Sequence, residues 1–300
     1  MNEGVFRILR ALQDGAVHPR TQVIRASGES HSVLAALELD KGKWFERRGP
    51  DVQLTEAGQK AHAYEADART PKMTLAQLCE AMREKSRGRP GPKRELDQVH
   101  ATLETTAKRA MHLMRHGETQ RGLLFLGDDD LTSLAVALLL DQTEAERKVR
   151  VLDLDPQLIA FLGVHPRIDA QVHDVREPLP RELHGKSGCV FTDPPYAPAG
   201  FALFISRAAT ALKEDGRLYV SFGQSRRASE RGLAKQRLLA DLGVLVEHVY
   251  TDFNEYEGAE SIGSRSALWV ARRTPQTKPL TLDPDAPLYT RDAPAEATTD

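Results

Sequence analysis

Seven short apolar segments, at residues 122–127, 149–154, 169–174, 188–193, 217–222, 244–251 and 266–272, recur through the second half of the chain, with helical patterning between the first several. A strand that is followed by a helix and then a second parallel strand needs a crossover connection. This cadence therefore limits the chain to an α/β architecture with a mostly parallel sheet. Ligands of such sheets lie beyond the carboxyl ends of the strands, near the point where the strand order reverses. The residues at those ends are Gly127 to Asp130 after the first segment, Asp153 and Asp155 after the second, Asp174 after the third, and Asp193-Pro194-Pro195-Tyr196 after the fourth. Acids terminate all four.

Three hundred residues leave room for a small domain beside the large one. From Val5 to about Ala63 the pattern is two short helices, a longer one, and then "WFERRGPDVQLTEAGQKAHA". In that stretch Trp44 to Arg47 and Val52 to Leu54 flank a Gly49-Pro50-Asp51 turn, and Thr55 is placed to cap the next helix. This resembles a winged helix-turn-helix. The expected organisation is a winged-helix-like domain over 1–66, a linker over 67–95 containing the Pro-, Gly- and Arg-rich "REKSRGRPGPKRE", a Rossmann-like domain over 96–274, and a flexible Pro-rich tail over 275–300. Seven strands ending in two consecutive ones resemble the methyltransferase-type Rossmann fold, a seven-stranded, mostly parallel sheet.

The 41 Lys and Arg nearly cancel the 43 Asp and Glu, so nothing in the overall charge attracts a polyanion. Cys79 and Cys189 are the only cysteines and stand in unrelated contexts, which fits a reducing compartment and excludes a disulfide framework. The ten His contain no HExxH pattern, and no metal is expected. The amino terminus lacks the apolar core of a signal peptide, and no apolar run approaches roughly 18 residues. A soluble cytoplasmic protein without a membrane partner is the expectation.

Asp155, in "VRVLDLDP", has the position at which Rossmann enzymes hold ribose hydroxyls with a carboxylate, and Asp174 the place where methyltransferase-like folds accept from an adenine amino group. In "TDPPY" two prolines fix the backbone, so that Asp193 and an adjacent carbonyl face an amino group while Tyr196 packs over it. The first strand ends in "GDDD", where S-adenosylmethionine enzymes carry a glycine-rich turn for the methionine carboxylate. Asp128, Asp129 and Asp130 would repel that carboxylate and attract a purely cationic aminopropyl end, or a polyamine.

"FLGDDDLTSLA", "DLDP", "FTDPPY" and "FNEYEGAESIGSRSALWV" together resemble the branched-chain polyamine synthase family, the N(4)-bis(aminopropyl)spermidine synthases, over roughly residues 95–272. The resemblance implies aminopropyl transfer from decarboxylated S-adenosylmethionine, a co-substrate with no permanently bound cofactor, to the central amine of spermidine. Asp128, Asp129 and Asp193 are the expected catalytic acids, and Gly127, Asp128, Asp155, Asp174 and Asp193 the expected donor-binding residues. Asp129, Asp130, Pro194, Tyr196 and Glu257 are expected to hold the polyamine. Glu257 belongs to the loop 252–266, which also carries Glu255 and Glu260 beside Tyr256.

Two alternatives compete. One is an amino-group methyltransferase acting on DNA or RNA, with "RGRPGPKR" (87–94) and residues 224–237 as its basic groove. The other is a winged-helix regulator with a degenerate enzyme domain. The acidic catalytic face disfavours a phosphodiester, and the third helix carries Glu38 and Asp40 and few basic side chains, which is poor for groove docking. The amino-terminal module is therefore read as a dimerisation or lid element, with a homodimer expected and nucleic acid not expected as a partner.

Overall fold

In the computed structural model, which describes residues 1–144, 146–223, 229–258, 264–282 and 286–289, the chain divides into two units. The first comprises residues 1–71 with 114–120, the second residues 72–113 with 121–300.

The first unit runs α1 (Glu3–Ala11), β1 (His18–Pro19), α2 (Arg20–Ser27), α3 (His31–Asp40), β2 (Phe45–Arg48), β3 (Asp51–Leu54) and α4 (Glu56–Ala68). Side chains of Asn2, Ser30 and Thr55 accept from backbone amides in the first turns of α1, α3 and α4. The strands form an antiparallel sheet in the order β1-β3-β2, and Gly49, at φ +64°, makes the hairpin turn between β2 and β3. Ile8, Leu9, Leu12, Val23, Leu34, Val52 and Leu54 form its core. Glu38 is buried and accepts from Arg20 at 2.6 Å and Arg47 at 2.7 Å, so this acid of α3 clasps the helices and hairpin internally.

The second unit begins with α5 (Leu75–Lys85) and α6 (Leu103–Arg115), and α6 passes into the first unit at Met114. The expectation of a linker over 67–95 is corrected here. Thr74 and Gln77 close a capping box, and Leu78 and Met82 of α5 are fully buried where that helix packs on the helix Thr132–Leu140. The charged residues around them hid a short amphipathic helix.

The sheet of this unit comprises β4 (Leu123–Leu126), β5 (Val149–Asp153), β6 (Ile168–Val172), β7 (Ser187–Thr192), β8 (Leu212–Phe222), β9 (Val244–Glu255) and β10 (Arg265–Arg273). Their order is β6-β5-β4-β7-β8-β10-β9, with the first five parallel and β10 inserted antiparallel between β8 and β9. The helices α7 (Thr132–Leu140), α8 (Pro156–Leu162), α9 (Pro198–Ala211) and α10 (Ser229–Asp241) alternate with the strands. Every residue of α7 is buried, which explains why "TSLAVALLL" is apolar almost all round. The order reverses between β4 and β7, so the GDDD and DPPY loops emerge side by side.

Two boundaries differ from expectation. β9 continues to Glu255 because Asn254 and Glu255 pair with Ser266 and Arg265, across an irregularity in the register that carries Asp252 at φ +53°. Within the expected tail, Leu280, Leu282 and Leu288 pack against the main core, and the amide of Leu280 donates to Ser206. Residues 283–285 and 290–300 lie outside the described residues. Removal of residues 275–300 is thus expected to lower Tm by about 5 °C or more in a thermal scan, since three leucines lose their packing. An unchanged Tm would show that the segment contributes nothing to the fold. Among the described residues no helix is long and apolar enough to cross a membrane.

Candidate active site

The turn after β4 is built from left-handed residues. Gly127 has φ +71° and Leu131 φ +60°, while a Cβ placed on Gly127 would meet Phe204 at an ordinary 3.5 Å. The torsion, and not lack of space, demands glycine there. The Asp128 carboxylate accepts from the Ser133 amide at 3.0 Å, capping the start of α7. Asp153, at the end of β5, ties the neighbouring loops together: Oδ2 accepts from the Asp128 amide at 3.1 Å and Oδ1 from the Asp155 amide at 2.8 Å.

Behind these loops stands Arg109. The start of α6 is stitched to the end of β9 by Thr102 N–H donating to the Glu255 carbonyl at 2.8 Å and Glu255 N–H donating to Thr105 Oγ1 at 2.9 Å. Arg109, one helical turn further on, is thereby carried into the interior, with 0% of its surface exposed. Its Nε donates to Asn254 Oδ1 at 2.7 Å, Nη1 to Asp130 Oδ2 at 2.5 Å, and Nη2 to Asp193 Oδ2 at 2.6 Å. Burial opposes the guanidinium charge, but Asp130, Tyr256 and Asp193 outweigh it and raise the pKa. Tyr256 O–H donates to Asp193 Oδ2 at 2.6 Å. Both bonds fall on Oδ2, and Oδ1 of Asp193 accepts from none of the described residues.

The cleft in front of this hub is lined by Leu96, Asp97, Gln98, Gly127, Asp129, Leu152, Asp153, Leu154, His173, Val175, Asp193, Pro195, Phe204 and Tyr289. Among the described residues that line it are four acids and no Lys or Arg. Burial pushes the Asp193 carboxyl up to about 6, with Asp130 adding to the rise and Arg109 and the Tyr256 hydrogen bond opposing it. Burial, then Asp130 and Asp153, also raises Asp129, against the pull of Arg89. Asp128 is pushed up to about 8, chiefly by burial. Burial in such a cleft makes carboxylate charge costly, and an incoming cation offsets that cost.

The sequence profile of the branched-chain polyamine synthase A C-terminal domain matches residues 77–290. The chain belongs to the branched-chain polyamine synthase family. It is 32% identical over 220 residues to the N(4)-bis(aminopropyl)spermidine synthase of Thermococcus kodakarensis, covering 69% of this chain and 59% of that one. The enzyme of the same name from Thermus thermophilus is 32% identical over 210 residues, covering 67% and 58%. The chain spans about half to three fifths of the length of the curated relatives it matches. The crystal structure of the Thermus thermophilus branched-chain polyamine synthase, in complex with N4-aminopropylspermidine and 5'-methylthioadenosine, aligns with a TM-score of 0.59 at 25% identity, over 97% of this chain and 92% of that one. A Pyrococcus horikoshii structure assigned as an RNA methyltransferase aligns with a TM-score of 0.50 at 17% identity and shares the fold.

Within this family member, Gly127, Asp129 and Asp193 of the expected residues line the cleft. Asp128 and Asp130 do not. Asp128 is turned to the start of α7, while Asp130 accepts from Arg109 and, at 2.5 Å, from the Ala101 amide. Asp155 caps α8 through the Gln157 amide at 2.9 Å and receives the Lys93 ammonium at 2.7 Å. Burial alone would raise the Asp155 carboxyl, but the Lys93 and Gln157 hydrogen bonds hold it below the usual range. Asp174 is engaged by Arg176, and its neighbours His173 and Val175 face the cleft in its stead. Pro194 and Tyr196 flank the lining residue Pro195, Glu257 is exposed, and Glu260 lies outside the described residues. Two of the four cations in the run 87–94 turn inward, Arg89 donating to the Asp129 carbonyl and Lys93 to Asp155, while Arg87 and Arg94 are exposed. Of residues 224–237, the first five lie outside the described residues.

Sequence reasoning did not single out Arg109, nor Asp153 over Asp155, nor Tyr289. Lys108 and Arg109 are adjacent cations on one helix, and only the docking of α6 sends Lys108 to exposed Glu104 and Arg109 to the interior. Tyr289 sat in a segment whose composition suggested no structure. Tyr256 and the acid-terminated second strand were visible as residues but not as partners.

Proposed function

We propose that the chain transfers the aminopropyl group of decarboxylated S-adenosylmethionine to the central secondary amine of spermidine and, in a second round, to the N4-aminopropylspermidine so formed. The products are N(4)-bis(aminopropyl)spermidine and methylthioadenosine. The observation that carries this reading is the cleft at the strand reversal, with Asp97, Asp129, Asp153 and Asp193 and no Lys or Arg among the described residues that line it. A methionine carboxylate would meet repulsion there, whereas an aminopropyl ammonium would meet attraction. The Thermus relative, bound to N4-aminopropylspermidine and methylthioadenosine, supports the same pair of ligands.

The lining suggests a division of labour. Leu154, Val175, Phe204 and Tyr289 offer apolar surface for the nucleoside. Asp129 and Asp153 ionise fully as cationic groups arrive and fix the flanking ammoniums, which sets the nitrogen that meets the electrophilic methylene. Asp193 takes the proton of the central amine on Oδ1, while Oδ2 stays anchored by Arg109 and Tyr256. As the new C–N bond forms, the C–S bond breaks and the sulfonium becomes a neutral thioether, so the leaving group needs no acid.

Mass spectrometry of product after incubation with spermidine and each sulfonium donor tests the reading. Branched polyamine and methylthioadenosine are expected from decarboxylated S-adenosylmethionine alone. That donor is also expected to bind at least about tenfold more tightly than the carboxylated one, a difference of about 1.4 kcal/mol from one lost repulsion. Equal affinities, or methyl transfer to adenine or cytosine with spermidine untouched, would overturn it.

A further inference from the structure

Lys235 is a cation in an unusual place. It lies on α10 with only 5% of its surface exposed, and its ammonium stands 4.9 Å from the ring centre of Tyr196, 5.4 Å from that of Phe201 and 5.6 Å from that of Phe222. Three aromatic faces around one ammonium are the arrangement by which proteins bind alkylammonium ligands. One of the three rings belongs to the DPPY loop, beside the acid that faces the cleft. The chain thus builds a cation cage next to its candidate base and fills the cage with its own side chain.

The geometry points to Lys235 as the residue that selects the acceptor nitrogen, by occupying a cage that a terminal ammonium of the polyamine would otherwise take. This inference rests on the aminopropyl-transfer reading. Spermidine offers two primary ammoniums and one secondary amine, and all three are attracted to the same acids. With the cage filled, a terminal ammonium approaching Asp193 on the Tyr196 side gains no aromatic contact and meets a buried like charge. The central nitrogen has no such demand, because its two ammonium-bearing arms extend to the other acids, Asp129 and Asp153. The fixed positive charge also favours the neutral, nucleophilic form of whichever amine stands beside Asp193. Burial pushes the Lys235 ammonium down to about 8, with Asp193 opposing the shift and Arg231 adding to it, so the side chain is still mostly charged at pH 7. Exclusion of a competing pose by an occupied site is a repulsive route to specificity.

The test compares Lys235→Ala and Lys235→Met, which empty the cage of charge, with Lys235→Arg, which retains it. Spermidine and decarboxylated S-adenosylmethionine are the substrates, and fragmentation mass spectrometry separates branched from linear tetraamine. The parent and Lys235→Arg are expected to give branched product, while Lys235→Ala raises the linear-to-branched ratio at least about tenfold. A merely structural lysine would lower the rate and leave that ratio unchanged, and an unchanged ratio overturns the inference. Calorimetry with tetramethylammonium supplies a readout that needs no turnover: Lys235→Ala should bind this probe at least about tenfold more tightly than the parent. Equal binding by parent and variant also overturns the proposal. A parent that forms no aminopropyl product at all would instead sink the transfer reading, while the tetramethylammonium result would still judge the cage.

Discussion

Asp193→Asn is expected to lower turnover on spermidine by about a hundredfold or more and to leave methylthioadenosine binding within a few fold of the parent. The amide keeps one oxygen to accept from Arg109 and Tyr256, so the shape of the DPPY loop survives while the proton acceptor is lost. The pH profile carries the sharper signature. The Asp193 carboxyl sits at about 6, above its ordinary value, so it is ionised and able to accept a proton only as pH rises through that region. The central amine must also lose a proton. The parent rate at saturating donor should therefore climb from about pH 5.5 toward alkaline pH, and Asp193→Asn should lack the limb near 6. Turnover close to the parent's, or an unaltered pH profile, would remove Asp193 from proton transfer.

Arg109→Met should cost about 3–5 kcal/mol of folding stability, because it leaves Asp130 and Asp193 buried without their counter-charge. That is a large share of what a domain possesses. The sign of the pH dependence follows from the same geometry. Without the guanidinium, which opposes the rise that burial imposes on Asp193, that carboxyl is pushed further above its unfolded value, so the native state binds an extra proton and loses stability as pH rises from about 4. Urea denaturation should find the variant nearest the parent at pH 5 and furthest from it at pH 8. A loss under about 1 kcal/mol, equal at both pH values, would mean that the hub carries no load. Restoring the charge with Arg109→Lys should recover part of the loss but not all, since one ammonium cannot reproduce the three directed bonds to Asn254, Asp130 and Asp193.

The sequence by itself determined the parallel sheet, its seven strands and the loops that carry chemistry. Strand cadence is local information, and a loop at the carboxyl end of a central strand has few places to go. It also marked Gly127, Asp129 and Asp193, because a left-handed turn and a Pro-Pro corner are written into neighbouring residues. The tertiary structure alone decided which acids remain for a ligand. Asp128 and Asp130 look identical to Asp129 in the string "GDDD", but one caps α7 and the other binds Arg109, which comes from a helix docked across the strand ends. Asp153 and Asp155 divide in the same way between cleft and cap. A carboxylate's role depends on which donors reach it: Asp128 and Asp155 take local amides, 5 and 2 residues on, whereas Asp130 and Asp193 take Arg109 from 21 and 84 positions away, a distance over which sequence pattern carries no geometric information.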